Sequence, residues 1–507
     1  MPSIPPHLVL THLIAMGNTA STTPATPPEE QLDEPVTDKH TDAGEMVVPS
    51  GRDGGGGGRT RRRGGKRGSS EGKGSLIRFA ASSMQGWRPS NEDHHLLSPS
   101  ITIPLPSAQW GGDITLRDHS LFAVFDGHGG GWTSHYAGNN MCRVLCARKE
   151  WSEYLALSEA ERADVPGIEL LKSALAGAFV DLDDELYRIH LGTLVPDLNN
   201  NGSEGRDDGS DTSNSRRSSS PAGLPPKAPK AGAKKGVKST PSPAAISQFD
   251  LAYLKGDRSG STSVAVLLTP SHIICANAGD SRCILVRSGV AFPMSFDHKP
   301  TTACEHGRIV NASGLVHMKR VDGDLAVSRG LGDFRFKGNT DLKVEHQKVS
   351  SSPDILVNPR DQGSDEMIIL ACDGIWDVLS NQECAKTVQE LLDEGETRVD
   401  MVCEEVLDIC LEKDSRDNMT FCMVALPACK MMTEQQNVQS GKGGVAARRE
   451  ARKEKGITPG QSRRARRAAA KAERAARKAA KEEAAVTKQE GAQQIVVSAE
   501  GPPPAAD

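Results

Sequence analysis

The chain has 507 residues, 37% of them hydrophobic, with 50 glycines and 30 prolines; soluble domains usually reach about 45–50% apolar, so part of it is predicted not to fold. The formal charge of −5 hides opposites: residues 1–75 hold 9 basic and 9 acidic side chains, 201–247 hold 8 and 4, 430–507 hold 17 and 9, and the remainder 27 and 44. An acidic body with neutral or basic appendages follows, and with no apolar run near ~20 residues it is not expected to span a bilayer.

Residues 1–75 are rich in Thr, Pro and Glu, then in Gly, with five consecutive glycines at Gly54 to Gly58. Such a stretch buries too little apolar area to offset its ordering entropy and is predicted to be disordered. The opening run His7 to Met16 lacks the basic leader of a secretory signal. Met16-Gly-Asn-Thr-Ala-Ser21 fits an N-myristoylation pattern if translation begins at Met16. The six basic residues in Arg59–Arg67 would then supply the second signal for peripheral membrane contact.

Order is expected over 76–428, interrupted by a low-complexity insertion at about 191–250. Apolar runs predict strands at Leu121–Phe125, Thr262–Leu268, His272–Ala276, Cys283–Val286, Met367–Ala371 and Thr420–Leu426. Helical spacing appears at Ser134–Lys149, Ile168–Ile189, Asn381–Leu392 and Met401–Cys410. The strands cluster rather than alternate with helices, which predicts an α+β fold of antiparallel sheets packed with helices. Eleven cysteines, all between Cys142 and Cys429 and without a CxxC pair, read as reduced, mostly buried thiols of a cytoplasmic or nuclear protein. Residues 429–507 form a basic Ala/Arg/Lys-rich tail. Within it Arg463–Lys488 is read as a solvated helix or a disordered segment, and Arg463-Arg-Ala-Arg-Arg467 as a candidate import or nucleic-acid patch.

The informative carboxylates sit at strand ends. Asp126 ends one apolar strand and opens Asp126-Gly-His-Gly-Gly130, Asp373 ends another, and Asp417 precedes a third; Glu92 and Asp93 follow Gly86-Trp-Arg88. Each Asp-Gly by itself reads more readily as an ordinary turn. Several carboxylates gathered at one rim would repel one another and lose hydration, and a divalent cation resolves both costs. All-oxygen ligation selects magnesium, manganese or calcium over zinc.

Ser83-Met-Gln-Gly-Trp-Arg-Pro-Ser-Asn-Glu-Asp93 and Phe122-Ala-Val-Phe-Asp-Gly-His-Gly-Gly130 resemble the first motifs of the metal-dependent serine/threonine protein phosphatases (PPM family, type 2C). Asp257-Arg-Ser-Gly-Ser-Thr262, Ala278-Gly-Asp-Ser-Arg282, Asp297-His-Lys-Pro300, Asp322 to Asp333, Leu370-Ala-Cys-Asp-Gly-Ile-Trp-Asp377 and Ser415-Arg-Asp-Asn-Met419 follow in the family's order. Eight ordered motifs are specific where one would be weak. The resemblance implies a sandwich of two antiparallel sheets flanked by helices on both faces. It also implies two Mg2+ or Mn2+ ions in a cleft at one edge. Asp126 matches the bridging carboxylate. Glu92 and the Gly127 carbonyl match ligands of one ion, Asp373 and Asp417 of the other, and Asp257 and Asp377 a weaker third site. Arg88 matches the phosphate-binding arginine and His128 the general acid. Asp93 is read as supporting the ligands without touching an ion, and Asp280 and Asp297 as turn and cap residues.

The implied reaction is hydrolysis of phosphoserine and phosphothreonine in phosphorylated proteins by a hydroxide bridging the two ions. Arg88 would grip two phosphate oxygens with its planar fork, and His128 would protonate the departing alkoxide. A catalytically dead scaffold and a nucleic-acid binder led by the basic tail are the competing readings; the acidic body gives the second no support. A monomer is expected.

Overall fold

Met367-Ile-Ile-Leu-Ala371 shows no apolar/polar alternation because both faces of its strand are covered. Ile368 and Leu370 point into the interface between two sheets, while Met367, Ile369 and Ala371 point outward beneath helices. A strand buried on both sides reads as a continuous apolar run. The structure, a computed structural model, describes residues 35–48, 75–103, 113–194 and 257–454.

The first sheet has the order β1 (Val36–Val48), β2 (Ser75–Gly86), β11 (Met419–Ala425), β10 (Asp365–Ala371), β7 (Arg282–Arg287), β8 (Val290–Pro293). The second has the order β9 (Asp354–Pro359), β6 (His272–Ala278), β5 (Ser263–Leu268), β4 (Ser120–Phe125), β3 (His94–Ser98). All neighbours in both are antiparallel. Between the sheets lie Ile77, Phe79, Phe122, Val124, Val264, Val266, Leu370 and Val424, each at most 5% exposed.

Helices α1 (Trp132–Cys146) and α2 (Val165–His190) cover the second sheet through Met141, Leu145, Leu175 and Phe179. Helices α3 (Asn381–Asp393) and α4 (Val399–Glu412) cover the first through Val388, Leu391, Val402 and Val406. Ser380 starts α3 with a reciprocal cap, its hydroxyl accepting from the Glu383 amide while the Glu383 carboxylate accepts from the Ser380 amide. The outcome is the expected α+β sandwich with helices on both faces. None of the eleven cysteines is in a disulfide, and eight are buried. Among the described residues no helix is long and apolar enough to cross a membrane.

Two boundaries differ from expectation. Val36–Val48, placed in the disordered region, forms the edge strand β1, paired with β2 from Val36–Gly86 to Val48–Ser75. Several of its polar side chains have partners in the body. On one face Lys39 pairs with Asp408 of α4 at 2.7 Å and Thr41 donates to Glu404; on the other Asp42 meets His95 of the second sheet. Hydrophobicity cannot register a strand held this way.

The tail, in turn, begins inside the body. Helix α5 (Gly444–Glu454) buries Val445 completely and pairs Arg452 with Glu405 at 2.6 Å and Arg449 with Glu404 at 2.9 Å. Met16–Ser21, Arg59–Arg67, most of the insertion and Arg463–Lys488 lie outside the described residues.

Candidate active site

The site forms where β4, β10 and β11 end at the same rim. Asp126 follows β4, Asp373 follows β10, and Asp417 precedes β11. Two glycines let the segments that carry the candidate ligands touch. A Cβ on Gly127 would lie 2.1 Å from the Glu92 carbonyl oxygen, and one on Gly374 would lie 2.0 Å from the Asn418 carbonyl oxygen. Any side chain at either position pushes two of these segments apart. Asn418 fastens the same region: its side chain accepts from the Glu92 amide at 3.0 Å and donates to the carbonyls of Gln85 and Ser90 at 2.8 Å each.

At the centre, carboxylate oxygens of Asp126, Asp280 and Asp373 all lie within 4.8 Å of one another. Burial, then the charges of Asp373, Asp93, Asp280 and Asp417, hold the Asp126 carboxyl well above the usual carboxylate range. Burial and the charges of Asp280, Asp417 and Asp377 do the same for Asp373, against the pull of Lys299. Asp93 is pushed up to about 7, chiefly by burial, although Thr420 donates to it at 2.7 Å. Asp377 stands at the exposed rim, its carboxyl raised by partial burial and by Asp417 and Asp280. Carboxyl groups so crowded give up their protons to a divalent cation in exchange for ligation. The all-oxygen donor set fits a hard ion.

Glu92 faces this centre from the segment after β2, its carboxylate accepting from the Gly130 amide at 3.1 Å and from Ser90 at 3.2 Å. Arg88 donates to Asp417 at 2.7 Å, so the arginine is fixed beside a candidate ligand. His128 lies on the other side with Nε2 2.7 Å from Asp333 Oδ2. Burial lowers the affinity of His128 for a proton, but Asp333, then Asp280 and Glu92, outweigh it, and the net shift is upward. Asp257 accepts from the amide of Ser259 at 2.8 Å and from its hydroxyl at 3.2 Å, on the loop before Gly260, and does not join the three-carboxylate group.

Two residues carry roles that the sequence reading did not give them. Asp280, read as a turn residue, is 3% exposed, belongs to the central group and is paired with Lys299. Asp333, the last residue of the Asp322 to Asp333 motif, pairs with His128. Asp297 lies on the loop after β8 and pairs with Arg282 at 2.6 Å. The only available signal for Asp280 was its own place just after an apolar strand, shared with Asp126 and Asp373.

The family model for protein phosphatase 2C matches residues 211–419. Protein phosphatase 1A of Bos taurus is 32% identical over 359 residues, covering 71% of this chain and 73% of that protein. The chain belongs to the protein phosphatase 2C family. Protein phosphatase 2C homolog 2 of Saccharomyces cerevisiae is also 32% identical, over 367 residues and 71% of this chain. The chain spans 60% of the length of that yeast protein and 58% of that of bovine protein phosphatase 1B. The crystal structure of serine-threonine phosphatase 2C from Toxoplasma gondii aligns with 76% of this chain and 99% of its own, at 18% identity and a TM-score of 0.47.

Proposed function

We propose that this phosphatase 2C family member hydrolyses phosphoserine and phosphothreonine in proteins, using Mg2+ or Mn2+. The observation that carries the reading is the convergence of Asp126, Asp280 and Asp373 between an anchored arginine and a histidine–carboxylate pair. Glu92, Asp126, the Gly127 carbonyl, Asp373 and Asp417 would hold two ions, with Asp257 and Asp377 toward a weaker third. Bound divalent cations supply charge neutralisation and a hydroxide nucleophile near neutral pH.

The chain's own residues do the rest. Asp417 holds Arg88 in place, and the planar guanidinium grips phosphate oxygens as a fork, which a lysine does not. Asp333 holds the His128 ring and favours its protonated form. His128 then transfers a proton to the serine or threonine alkoxide, a poor leaving group, a contribution typically worth ~10²–10⁴-fold.

Phosphate release from p-nitrophenyl phosphate and from a phosphothreonine peptide tests the proposal. Activity is expected with Mn2+ or Mg2+ and is lost in EDTA; purified wild type without activity overturns it. Asp126→Asn at full rate overturns the site assignment. We also propose a monomer working in the cytoplasm or nucleus, a reading supported by the eight buried free thiols. Sedimentation and fractionation of the full chain test both points.

A further inference from the structure

Away from the acidic centre, the described residues contain one group that mixes nitrogen and oxygen donors without sulfur. His40 and Asp42 lie two residues apart on one face of β1, and His95 lies on β3 of the opposite sheet. One ligand atom from each lies within 4.8 Å of the others. Asp42 Oδ2 is 3.2 Å from His40 Nε2 and 3.0 Å from His95 Nε2. We propose that His40, Asp42 and His95 form a second metal site, for a zinc-class divalent cation.

Three observations support it. Donors ~2.0–2.1 Å from a tetrahedral zinc lie about 3.3 Å apart, close to both spacings from Asp42, and the whole set lies within 4.8 Å. Two imidazoles and one carboxylate suit zinc, cobalt, nickel or copper, whereas magnesium and manganese prefer oxygen. Finally, one ligand is fixed and another accessible. His95 is 6% exposed, while His40 is 75% exposed and leaves the fourth position to water or an incoming ligand. Binding requires Nε2 of each ring without its proton, which moves to Nδ1 or to solvent, and replaces the His95–Asp42 hydrogen bond and the His40–Asp42 ion pair with bonds to the metal. His94 takes no part, since its ring packs tilted against His135 with centroids 4.5 Å apart. A metal here would staple the edge strand of one sheet to the edge strand of the other. It would also brace β3, which starts two residues after Glu92.

Zinc titration of the full chain with excess Mg2+ present tests the site, read by calorimetry and by X-ray absorption at the zinc edge. One zinc bound through two imidazoles is expected in wild type. His40→Ala and Asp42→Asn, both at exposed positions, should weaken it more than about ten-fold, and Asp126→Asn should leave it intact. Unchanged affinity in His40→Ala and Asp42→Asn overturns the proposal. Loss of zinc in Asp126→Asn, or an oxygen-only coordination shell, also overturns it by placing the metal in the acidic centre.

Discussion

Asp333 is only 1% exposed as a side chain and sits in the left-handed region, with φ 52°. One of its oxygens faces His128 at 2.7 Å; the other is buried with no hydrogen-bond partner among the described residues. An ionised carboxylate in such surroundings is costly unless a cation faces it, so the pair is stable with His128 protonated. The backbone reinforces it, because a Cβ on Gly260 would strike both side chains. In the proposed reaction Asp333 would therefore be a positioning residue for His128. Asp333→Asn should lower kcat on a phosphothreonine peptide by about 10–100-fold. On p-nitrophenyl phosphate, whose leaving group needs little protonation, the loss should be several-fold at most. Equal losses on both substrates would assign Asp333 a purely structural role. The same comparison applied to Arg88→Lys should instead reduce both substrates alike, because the grip on phosphate does not depend on the leaving group.

The acidic outer face of α4 shows why the sequence was legible in some elements and not in others. Glu404, Glu405 and Asp408 each meet a cation from outside the expected domain: Lys39 on β1, and Arg449 and Arg452 on α5. Glu405 is fully buried, and burial raises its carboxyl above the ordinary range against the pull of Arg452. Removing that arginine leaves a buried charge only partly compensated by Arg449 at 3.6 Å and Arg448 at 3.9 Å. Arg452→Ala should thus cost about 1–3 kcal/mol, below the full ~3–5 kcal/mol of an unpaired buried ion. That lowers the melting temperature by several degrees, whereas Lys453→Ala, at a side chain 74% exposed, should leave it unchanged. Phosphatase rate at 25 °C should be unaffected in both. Strands β4 to β7, β10 and β11 and the helices α1 to α4 were readable because apolar burial creates them, whereas β2, β3, β8 and β9 were not among the expected strands. β1 and α5 were not readable, because ion pairs and backbone ladders hold them and their composition is that of a linker. At the site, Asp126, Asp373 and Asp417 announced themselves through strand ends and motif order. The partnership of His128 with Asp333, 205 residues apart, is a product of the tertiary fold alone.

Across the whole molecule, the 44 acidic against 27 basic side chains of the body include a centre built to be neutralised. Without cations, Asp93, Asp126, Asp373 and Asp377 all hold protons to higher pH than the value of 3.8 ordinary for Asp. The folded chain then binds protons that the unfolded chain has released. For groups raised in this direction, the stability tied to protonation is complete below 3.8 and is lost as pH climbs through the folded values, about 7 for Asp93. Each group costs about 1.4 kcal/mol per pH unit across its window. His94 works the other way: burial, then His135, depress it to about 3, so the fold loses stability as pH falls below about 6.5. Bound cations replace the protons, and their stabilising effect must therefore grow with pH. In EDTA, the melting temperature of wild type relative to Asp126→Asn should fall between pH 5 and 7.5, a comparison in which the His94 contribution cancels. The gain on adding Mn2+ should rise over the same interval in wild type and be much smaller in Asp126→Asn. A cation-induced gain that is flat with pH would mean that the carboxylates of the centre are already ionised without metal, and that the cluster is not the strained, proton-holding site its geometry implies.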